Sequence, residues 1–239
     1  MVLTVIKNWD KENWLSSKNY IFRFNNFLTK NTQLDKNSLI LDVGCGRGKI
    51  MGSLSSKLKL KNKPIGIDLV SHKDKDKRIK FKKISALSFF SKNKRKYDLI
   101  LIKQTIHLLH FKEIKNLLSK MYNSLSPKGK ILIITLDPFK NEIPTFNIMK
   151  IKLLKSLKRD QKIFNFILKL YPEMIIKKFS YKVKITKKKY VSMISMKFIS
   201  TLLNFNKTQI VTGIKEINLK YKKVLKFNDK LVCIILKNN

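Results

Sequence analysis

The stretch Ser38-Leu-Ile-Leu-Asp-Val-Gly-Cys-Gly-Arg-Gly48 decides the fold of this chain. Its apolar run, residues 38–43, predicts a short buried strand, and the three alternating glycines predict a sharp turn after it. Beyond the turn, Ile50, Leu54 and Leu58 recur four residues apart, which predicts one face of a helix over residues 49–60. A strand, a glycine turn and a helix in this order are typical of a parallel α/β sheet.

Further apolar runs predict more strands of the same sheet. They are residues 64–69 (PIGIDL), 79–84, 97–102 (YDLILI) and 130–136 (KILIITL). Helical spacing of apolar residues predicts helices over 11–28 and 111–125, with a turn over 126–129. A charged loop is predicted over 71–80, which leaves His72 solvated. The alternation predicts an α/β fold with a Rossmann-like, doubly wound sheet and helices on both faces.

The last hundred residues have a different pattern. Apolar spacing predicts Lys-rich helices over 146–171 and 187–203. Between them, residues 177–189 alternate lysine with apolar residues, as in a strand with one solvated face. Two β-rich runs, 219–227 and 230–237, meet at Asn228-Asp229, a dipeptide that suits a tight hairpin turn.

The composition describes a basic globular protein. Lysine and arginine total 53 against 15 acidic residues, a net charge of +38, and 44% of residues are hydrophobic. Only five of the basic residues are arginine, whose guanidinium group binds phosphate better than the lysine ammonium does. Codon bias therefore explains the many lysines more readily than a nucleic-acid partner does. Two cysteines form no disulfide framework and no apolar run has membrane-spanning length. We therefore expect a cytoplasmic protein without a membrane partner.

The glycine turn also indicates a ligand. Alternating glycines leave bare main chain for a bound molecule, and the start of the following helix favours an anionic group. Asp68 stands at the end of the second predicted strand, where its carboxylate can accept both hydrogen bonds of a ribose diol. The turn and Asp68 together predict an adenosine-containing cofactor at the carboxyl edge of the sheet.

Four segments resemble the class I S-adenosylmethionine-dependent methyltransferases: LDVGCGRG, GIDL, YDLILI and LSPKGKILIITL, between residues 39 and 136. A looser likeness over 190–202 suggests the small-molecule branch, trans-aconitate-like or methyltransferase type 11. The resemblance implies seven strands, the last antiparallel, and a helical cap inserted before a final hairpin. The single domain, 1–239, would comprise an N-terminal helical segment (1–37), a cofactor-binding core (38–137), a cap (138–206) and C-terminal strands (207–239).

The resemblance also implies an S-adenosylmethionine site. Its residues would be Asp42, Gly44, Cys45 and Gly46 around the methionine moiety, Asp68 on the ribose, Leu69 on the adenine, Ser85, Ala86 and Leu87 beside the adenine, and Lys103 near the methionine through its main chain. Relatives often have aspartate where Ser85 stands, and a hydroxyl is the weaker acceptor.

The class of methyl acceptor is indicated mainly by the residues directly after the fourth strand. Residues 103–107 (KQTIH) lack the Asn/Asp-Pro-Pro-aromatic signature of enzymes that methylate base amines, and no Pro-Cys nucleophile occurs. A small molecule, possibly an acidic one attracted by the lysines, is therefore predicted. His107 is the candidate general base or substrate ligand, with simple packing as the alternative. Trp14 and Tyr20 could cover the cofactor or only pack, and Arg47 could pair with a carboxylate or face solvent.

No metal site is predicted, since the three histidines are far apart. Two other functions stay open: an RNA methyltransferase that uses the basic surface, and a non-catalytic scaffold that binds the cofactor.

Overall fold

A seven-stranded sheet lies at the centre of the computed structural model, which describes residues 13–238. The strands are β1 (Ile40–Val43), β2 (Ile65–Asp68), β3 (Lys80–Lys83), β4 (Tyr97–Lys103), β5 (Leu125–Leu136), β6 (Ile175–Thr186) and β7 (Val224–Lys237). Their order is β3-β2-β1-β4-β5-β7-β6. β1 to β5 pair in parallel, and β7 is antiparallel to both β5 and β6. The predicted fold class is confirmed.

Seven helices of the described residues connect and cover the strands. They are α1 (Lys18–Asn31), α2 (Lys49–Leu58), α3 (Ala86–Lys92), α4 (Phe111–Tyr122), α5 (Asn147–Leu170), α6 (Lys187–Ser195) and α7 (Lys207–Lys220). Short 3₁₀ helices lie at Trp14–Ser16, Ile106–Leu108 and Ser200–Leu202. The predicted start of the first helix, at residue 11, falls outside the described residues.

The strand side chains alternate between two cores, one on each face of the sheet. In β4, Leu99 and Leu101 belong to the core on the first face, and Ile100 and Ile102 belong to that on the second. Buried residues of α1, α2, α6 and α7 complete the first core, those of α3 and α4 complete the second, and α5 contributes to both. A central parallel strand covered on both faces is expected to be almost wholly apolar, as β4 is.

The strand order reverses at β1, which has β2 on one side and β4 on the other. Connections from the two strands therefore leave toward opposite faces, which opens a crevice at their carboxyl ends. The glycine turn after β1, the end of β2 and the end of β4 all meet there.

The predicted hairpin at Asn228-Asp229 is wrong. β7 runs without interruption from Val224 to Lys237, and its partner is β6, the alternating segment, which pairs from Thr186↔Val224 to Ile175↔Ile235. Asn228 and Asp229 favour turns locally, but pairing along the full length of β6 and β7 outweighs that preference.

This pairing also changes the predicted order of the C-terminal segments. β6 lies inside residues 138–206, which were predicted as a helical cap. Residues 207–220 form α7, although strands were predicted from residue 207 onward. Helical structure therefore occurs both before β6, as α5, and between β6 and β7, as α6 and α7.

The predicted turn over 126–129 is a bulge inside β5. Tyr97 pairs with Leu125, whereas Leu99 pairs with Lys130, so the intervening residues of β5 loop out of the ladder. Local Pro and Gly signals identified this irregularity but not that a strand continues through it.

Candidate functional site

The glycine turn after β1 has the left-handed backbone that its sequence predicts. Gly44, Gly46 and Gly48 have φ angles of +75°, +54° and +70°. The N–H groups of Gly44 and Cys45 donate to the carbonyl of Ile67 over 2.8 and 3.1 Å, which fixes the turn against β2. Residues with side chains rarely adopt such angles, so the turn depends on its glycines.

Two of these glycines differ in what surrounds them. A Cβ on Gly44 would lie 2.2 Å from Thr105 Oγ1, so this glycine allows the start of the β4–α4 connection to approach. A Cβ on Gly46 would meet no atom within 4 Å. The turn is therefore closed toward β4 at Gly44 and open at Gly46, where a ligand can lie against the main chain.

The Asp68 carboxylate, at the end of β2, faces this open position. Its Oδ2 accepts from the Gly46 N–H over 2.8 Å, and its Oδ1 accepts from the Val70 N–H over 2.9 Å. Each carboxylate oxygen can accept a further hydrogen bond. The adjacent Leu69 exposes 55% of its surface, an apolar side chain beside a polar anchor.

The start of α3 lies next to Asp68. The Ile84 N–H donates to the Asp68 carbonyl over 3.0 Å, which brings Ser85, Ala86 and Leu87 to the crevice in half-buried positions. The Ser85 hydroxyl caps α3 and accepts from the N–H of Ser88 over 3.1 Å.

Asp42 is buried at the end of β1 on the first face of the sheet. The pKa of its carboxyl is raised to about 7, mainly by burial; the charge of Lys103 opposes the shift and that of Asp68 adds to it. Asp42 therefore changes charge near neutral pH.

Cys45 occupies the turn but has no features of a nucleophile. Burial raises the pKa of its thiol well above the usual range, with Asp42 and Asp68 adding to the shift. The thiol stays protonated and unreactive.

The Lys103 side chain lies among acidic and aromatic groups of the first face. Its Nζ is 5.6 Å from the centre of the Tyr20 ring and 5.5 Å from that of Phe24. Its charge lowers the pKa of Asp42 and of Asp229, in each case against a larger rise caused by burial. The sequence predicted a role only for the main chain of Lys103, whereas the charge of its side chain also acts on Asp42 and Asp229.

Gln104, directly after β4, has a strained backbone. Its φ of +52° is left-handed, and its N–H donates to the Ile134 carbonyl over 2.7 Å. A non-glycine residue with such angles costs about 1 kcal/mol or more and commonly marks a functional segment.

His107 is half-buried in the 3₁₀ helix after β4. Burial lowers the pKa of its imidazole to about 4, and the positive charge of Arg159 contributes. Arg159 in turn pairs with Asp160 over 3.1 Å. The imidazole is therefore neutral at pH 7 and is available as a hydrogen-bonding group.

The loop between β2 and β3 packs against the glycine turn. Arg47 is only 1% exposed, its Nε lies 3.2 Å from Asp74 Oδ1, and its carbonyl accepts from the Asp76 N–H over 2.9 Å. Of the two alternatives for Arg47, pairing with a carboxylate is the one observed. His72, predicted to be solvated, is buried in the same loop, because the loop folds back toward the turn.

Sequence reasoning missed Asp229 and assigned no partner to Trp14. The Trp14 Nε1–H donates to Asp229 Oδ2 over 3.1 Å, and Asp229 is 1% exposed in β7. Tyr20 is also fully buried. The signal in the sequence was Asp229 itself, an acidic residue within a long strand-like pattern. It was overlooked because Asn228-Asp229 was interpreted as a hairpin turn.

The rest of the molecule adds three features. No helix among residues 13–238 is long and apolar enough to cross a bilayer. Within the same residues, no three His, Cys, Asp or Glu side chains gather as metal ligands. A cavity of about 420 Å³ lies at the amino ends of the strands, away from the glycine turn, and is lined by Ile40, Ile65 and Tyr97 among others.

Comparisons with known proteins bear on the family and the fold of this chain. The family model described as "Methyltransferase domain" matches residues 17–167, more than half of the chain. No curated protein sequence matches this chain significantly.

Several solved structures share the fold. A protein of Anabaena variabilis ATCC 29413, described as a methyltransferase from an antibiotic biosynthesis pathway, is 13% identical over 89% of this chain and 96% of its own, with a TM-score of 0.64. The plantazolicin methyltransferase BamL, solved with a triazolic desmethylPZN analogue and SAH (S-adenosylhomocysteine), is 18% identical over 97% of this chain and 89% of its own, with a TM-score of 0.55. A Bacillus halodurans C-125 protein is 14% identical over 90% of this chain and 98% of its own, with a TM-score of 0.51.

Proposed function

Because this chain belongs to the methyltransferase domain family, as its resemblance to the class I S-adenosylmethionine-dependent enzymes predicted, we propose that it transfers the methyl group of S-adenosylmethionine to a small-molecule acceptor. One observation carries the proposal: the open glycine turn at Gly46 faces the Asp68 carboxylate beside the point where the strand order reverses. Such a crevice is where ligands bind in open α/β sheets.

The residues of the crevice fit the proposed cofactor. The space at Gly46 admits a group against the main chain, and Asp68 keeps acceptor capacity for a ribose diol. Exposed Leu69 and half-buried Ser85, Ala86 and Leu87 offer a border for the adenine ring. Asp42 supplies negative charge on the side where the methionine ammonium would lie. When bound, the cofactor supplies an electrophilic methyl group on a positively charged sulfur.

The chain itself then contributes position and electrostatics. Gly44, Cys45 and Gly46 shape the methionine side of the crevice, and Lys103 lies beside it at the end of β4. Methyl transfer to a good nucleophile needs alignment more than acid–base chemistry. We assign His107 a role in binding the acceptor, since an imidazole with a pKa of about 4 is a weak base at neutral pH.

A second candidate function rests on the lysine surface of the β6–β7 pair. Lys178, Lys182 and Lys184 are exposed on β6, and Lys184 lies directly opposite Lys226 of β7. Like charges in such a pair repel one another, and a polyanion such as RNA would relieve the repulsion.

Filter binding of tRNA against salt separates the two candidates. RNA recognition predicts binding that falls steeply with salt and weakens in a Lys184→Gln/Lys226→Gln variant. A matched Lys112→Gln/Lys115→Gln variant, changed on the exposed face of α4, should behave like the wild type. Equal effects of both variants would indicate nonspecific charge attraction and favour the small-molecule acceptor.

Calorimetry with SAH tests the cofactor site itself. Asp68→Ala removes the proposed ribose contacts, so its affinity should fall at least about tenfold, in line with two lost hydrogen bonds to a charged group. Asp98→Ala, at the amino end of β4, is the matched control and should keep its affinity. Equal affinity of the wild type and Asp68→Ala would remove the ribose role.

A non-catalytic scaffold also predicts SAH binding, so turnover must be measured separately. Metabolite extracts incubated with methyl-labelled S-adenosylmethionine should yield a labelled product that depends on the enzyme. The cytoplasmic location expected from the sequence stays a prediction.

A further inference from the structure

Tyr20 carries a buried hydroxyl without a hydrogen bond. The side chain is 0% exposed, and no described residue pairs with its oxygen. The ring is held by edge contacts with Phe179 and Tyr181, at 5.7 and 5.1 Å between centres. A phenylalanine would make the same contacts without leaving a polar group unsatisfied, which costs about 1–3 kcal/mol. The hydroxyl is therefore placed to meet a partner that is not part of the described chain.

The surroundings of this hydroxyl identify where that partner would lie. Tyr181 is the direct cross-strand neighbour of Asp229, and the charge of Asp229 adds to the effect of burial in raising the pKa of Tyr20. The Lys103 Nζ lies 5.6 Å from the Tyr20 ring centre. Tyr20, Asp229 and Lys103 are thus neighbours on the first face of the sheet, and we call the region between them the enclosure. Half-buried Gln104 and Thr105 bring its β4 side toward the surface.

Asp229 retains capacity to bind a ligand in this enclosure. The Trp14 indole occupies its Oδ2, while no described residue donates a hydrogen bond to its Oδ1. The carboxyl is held rigidly in β7, so its free oxygen has a fixed position.

Carboxyl groups gather at the carboxyl ends of the strands, although the surface as a whole is basic. Asp42 lies one residue before the end of β1, Asp68 ends β2, and Asp137 follows β5, where its N–H donates to the Lys230 carbonyl beside Asp229. Although the whole chain carries +38, four carboxyl groups therefore collect around the crevice and the enclosure. Lys103 offsets part of this charge through its interactions with Asp42 and Asp229.

We propose that the enclosure of Tyr20, Asp229 and Lys103 binds the accepting group of the methyl acceptor and that this group is an amine. The inference rests on the proposed methyltransferase function and adds the class of acceptor. One N–H of the bound amine donates to Asp229 Oδ1, and a second N–H donates to the Tyr20 hydroxyl oxygen, which leaves the nitrogen lone pair free to accept the methyl group. A carboxylate acceptor would instead face Asp229 and Asp42. The surface lysines suggested an acidic acceptor, but the groups nearest to the site favour the opposite charge.

The transfer balances with the residues present. A bound ammonium first gives one proton to Asp229 and becomes a neutral amine. Its nitrogen lone pair then forms the new N–C bond as the methyl–sulfur bond breaks, with the bonding electrons remaining on sulfur. The product leaves as a methylated ammonium, and Asp229 releases its proton to water. Burial raises the pKa of Asp229, which helps this carboxylate to accept a proton.

Calorimetry on the full-length protein saturated with SAH tests the inference. The probes are benzylamine and benzoate at pH 7, which share a ring and differ in the sign of their charge. We expect benzylamine to bind at least about tenfold more tightly than benzoate, because a charge-assisted hydrogen bond contributes roughly that much. Tyr20→Phe and Asp229→Asn should each weaken benzylamine binding by about fivefold or more.

Matched variants and melting curves keep the test decisive. Tyr122→Phe removes a hydroxyl from a half-buried tyrosine of α4 in the second core, and it should leave amine binding unchanged. Melting curves establish whether each variant is folded. If Asp229→Asn does not fold, Tyr20→Phe alone tests the inference. Equal or tighter binding of benzoate, no binding of benzylamine, or unchanged amine binding in the folded variants would overturn the inference. A wild type that fails to bind SAH would instead reject the proposed function.

Discussion

The Trp14 indole N–H donates a 3.1 Å hydrogen bond to the Asp229 carboxylate, joining the segment before α1 to the middle of β7. The same indole packs edge-on against Phe227, with 5.2 Å between ring centres. The N-terminal segment is therefore fixed at one of the most buried charges in the described chain.

Replacing Trp14 with phenylalanine should destabilise the protein by about 1–3 kcal/mol. The variant keeps an aromatic ring near Phe227 but leaves a buried carboxylate without one of its donors. Urea unfolding followed by circular dichroism measures the change. An unfolding free energy equal to that of the wild type would mean that the Trp14–Asp229 bond contributes nothing to stability.

Replacing Tyr20 with phenylalanine should leave stability unchanged or raise it by up to about 1 kcal/mol, since the lost hydroxyl has no partner. Tyr97→Phe is the matched control, because the Tyr97 hydroxyl donates to Asn93 Oδ1 over 3.0 Å. That variant should lose about 1 kcal/mol. A clear loss of stability in Tyr20→Phe would show that its hydroxyl has a structural partner in solution.

SAH should bind more tightly as the pH rises from 5 to about 7. The Asp42 carboxyl has a pKa of about 7 in the free protein, so it is mostly protonated below that pH and negatively charged above it. A cationic ammonium favours the charged form, and affinity can rise by up to about tenfold per pH unit below this pKa. Above it, the affinity should level off.

The control for this pH dependence is Asp42→Asn, which cannot change charge. Its affinity for SAH should be lower and nearly independent of pH between 5 and 8 in calorimetric titrations. A wild-type affinity that does not vary across the same range would contradict the assignment of Asp42 to the ammonium.

Substitution of His107 by asparagine should lower kcat/KM by roughly tenfold, mainly through KM, because the imidazole is proposed to bind the acceptor as a neutral group. The pH–rate profiles of the wild type and the variant should have the same shape near pH 6.5, since burial and Arg159 lower the pKa of His107 to about 4. A loss of kcat of a hundredfold or more, with an inflection removed between pH 6 and 7, would instead identify His107 as a general base.

Local patterns were sufficient to predict the glycine turn after β1 and the position of Asp68 at the end of β2. The turn at Gly44 and Gly46 and the position of Asp68 follow from short apolar runs and glycine spacing, and neither depends on distant contacts. The central strands are buried on both faces, so their sequences carry a strong signal. The sequence-based bounds of β1 and β4 are within two residues of the observed ones.

Long-range pairing decided the parts that were missed. The local sequence around Asp229 favours a turn. Only the pairing of this segment with β6 shows that it is part of a continuous strand. Lys103 was expected to contribute main chain, because nothing local indicates that the charge of its side chain acts on Asp42 and Asp229. The enclosure that we propose for the acceptor combines α1, β4 and β7, whose proximity arises from tertiary folding alone.

A co-crystal structure with SAH tests the central claim most directly. We predict that both ribose hydroxyls lie within hydrogen-bonding distance of the Asp68 carboxylate and that the amino-acid part lies against the main chain of Gly44–Gly46. Ligand density elsewhere, for example in the cavity beside Ile65 and Tyr97 at the amino ends of the strands, with Asp68 bonded only to Gly46 and Val70, would contradict the account.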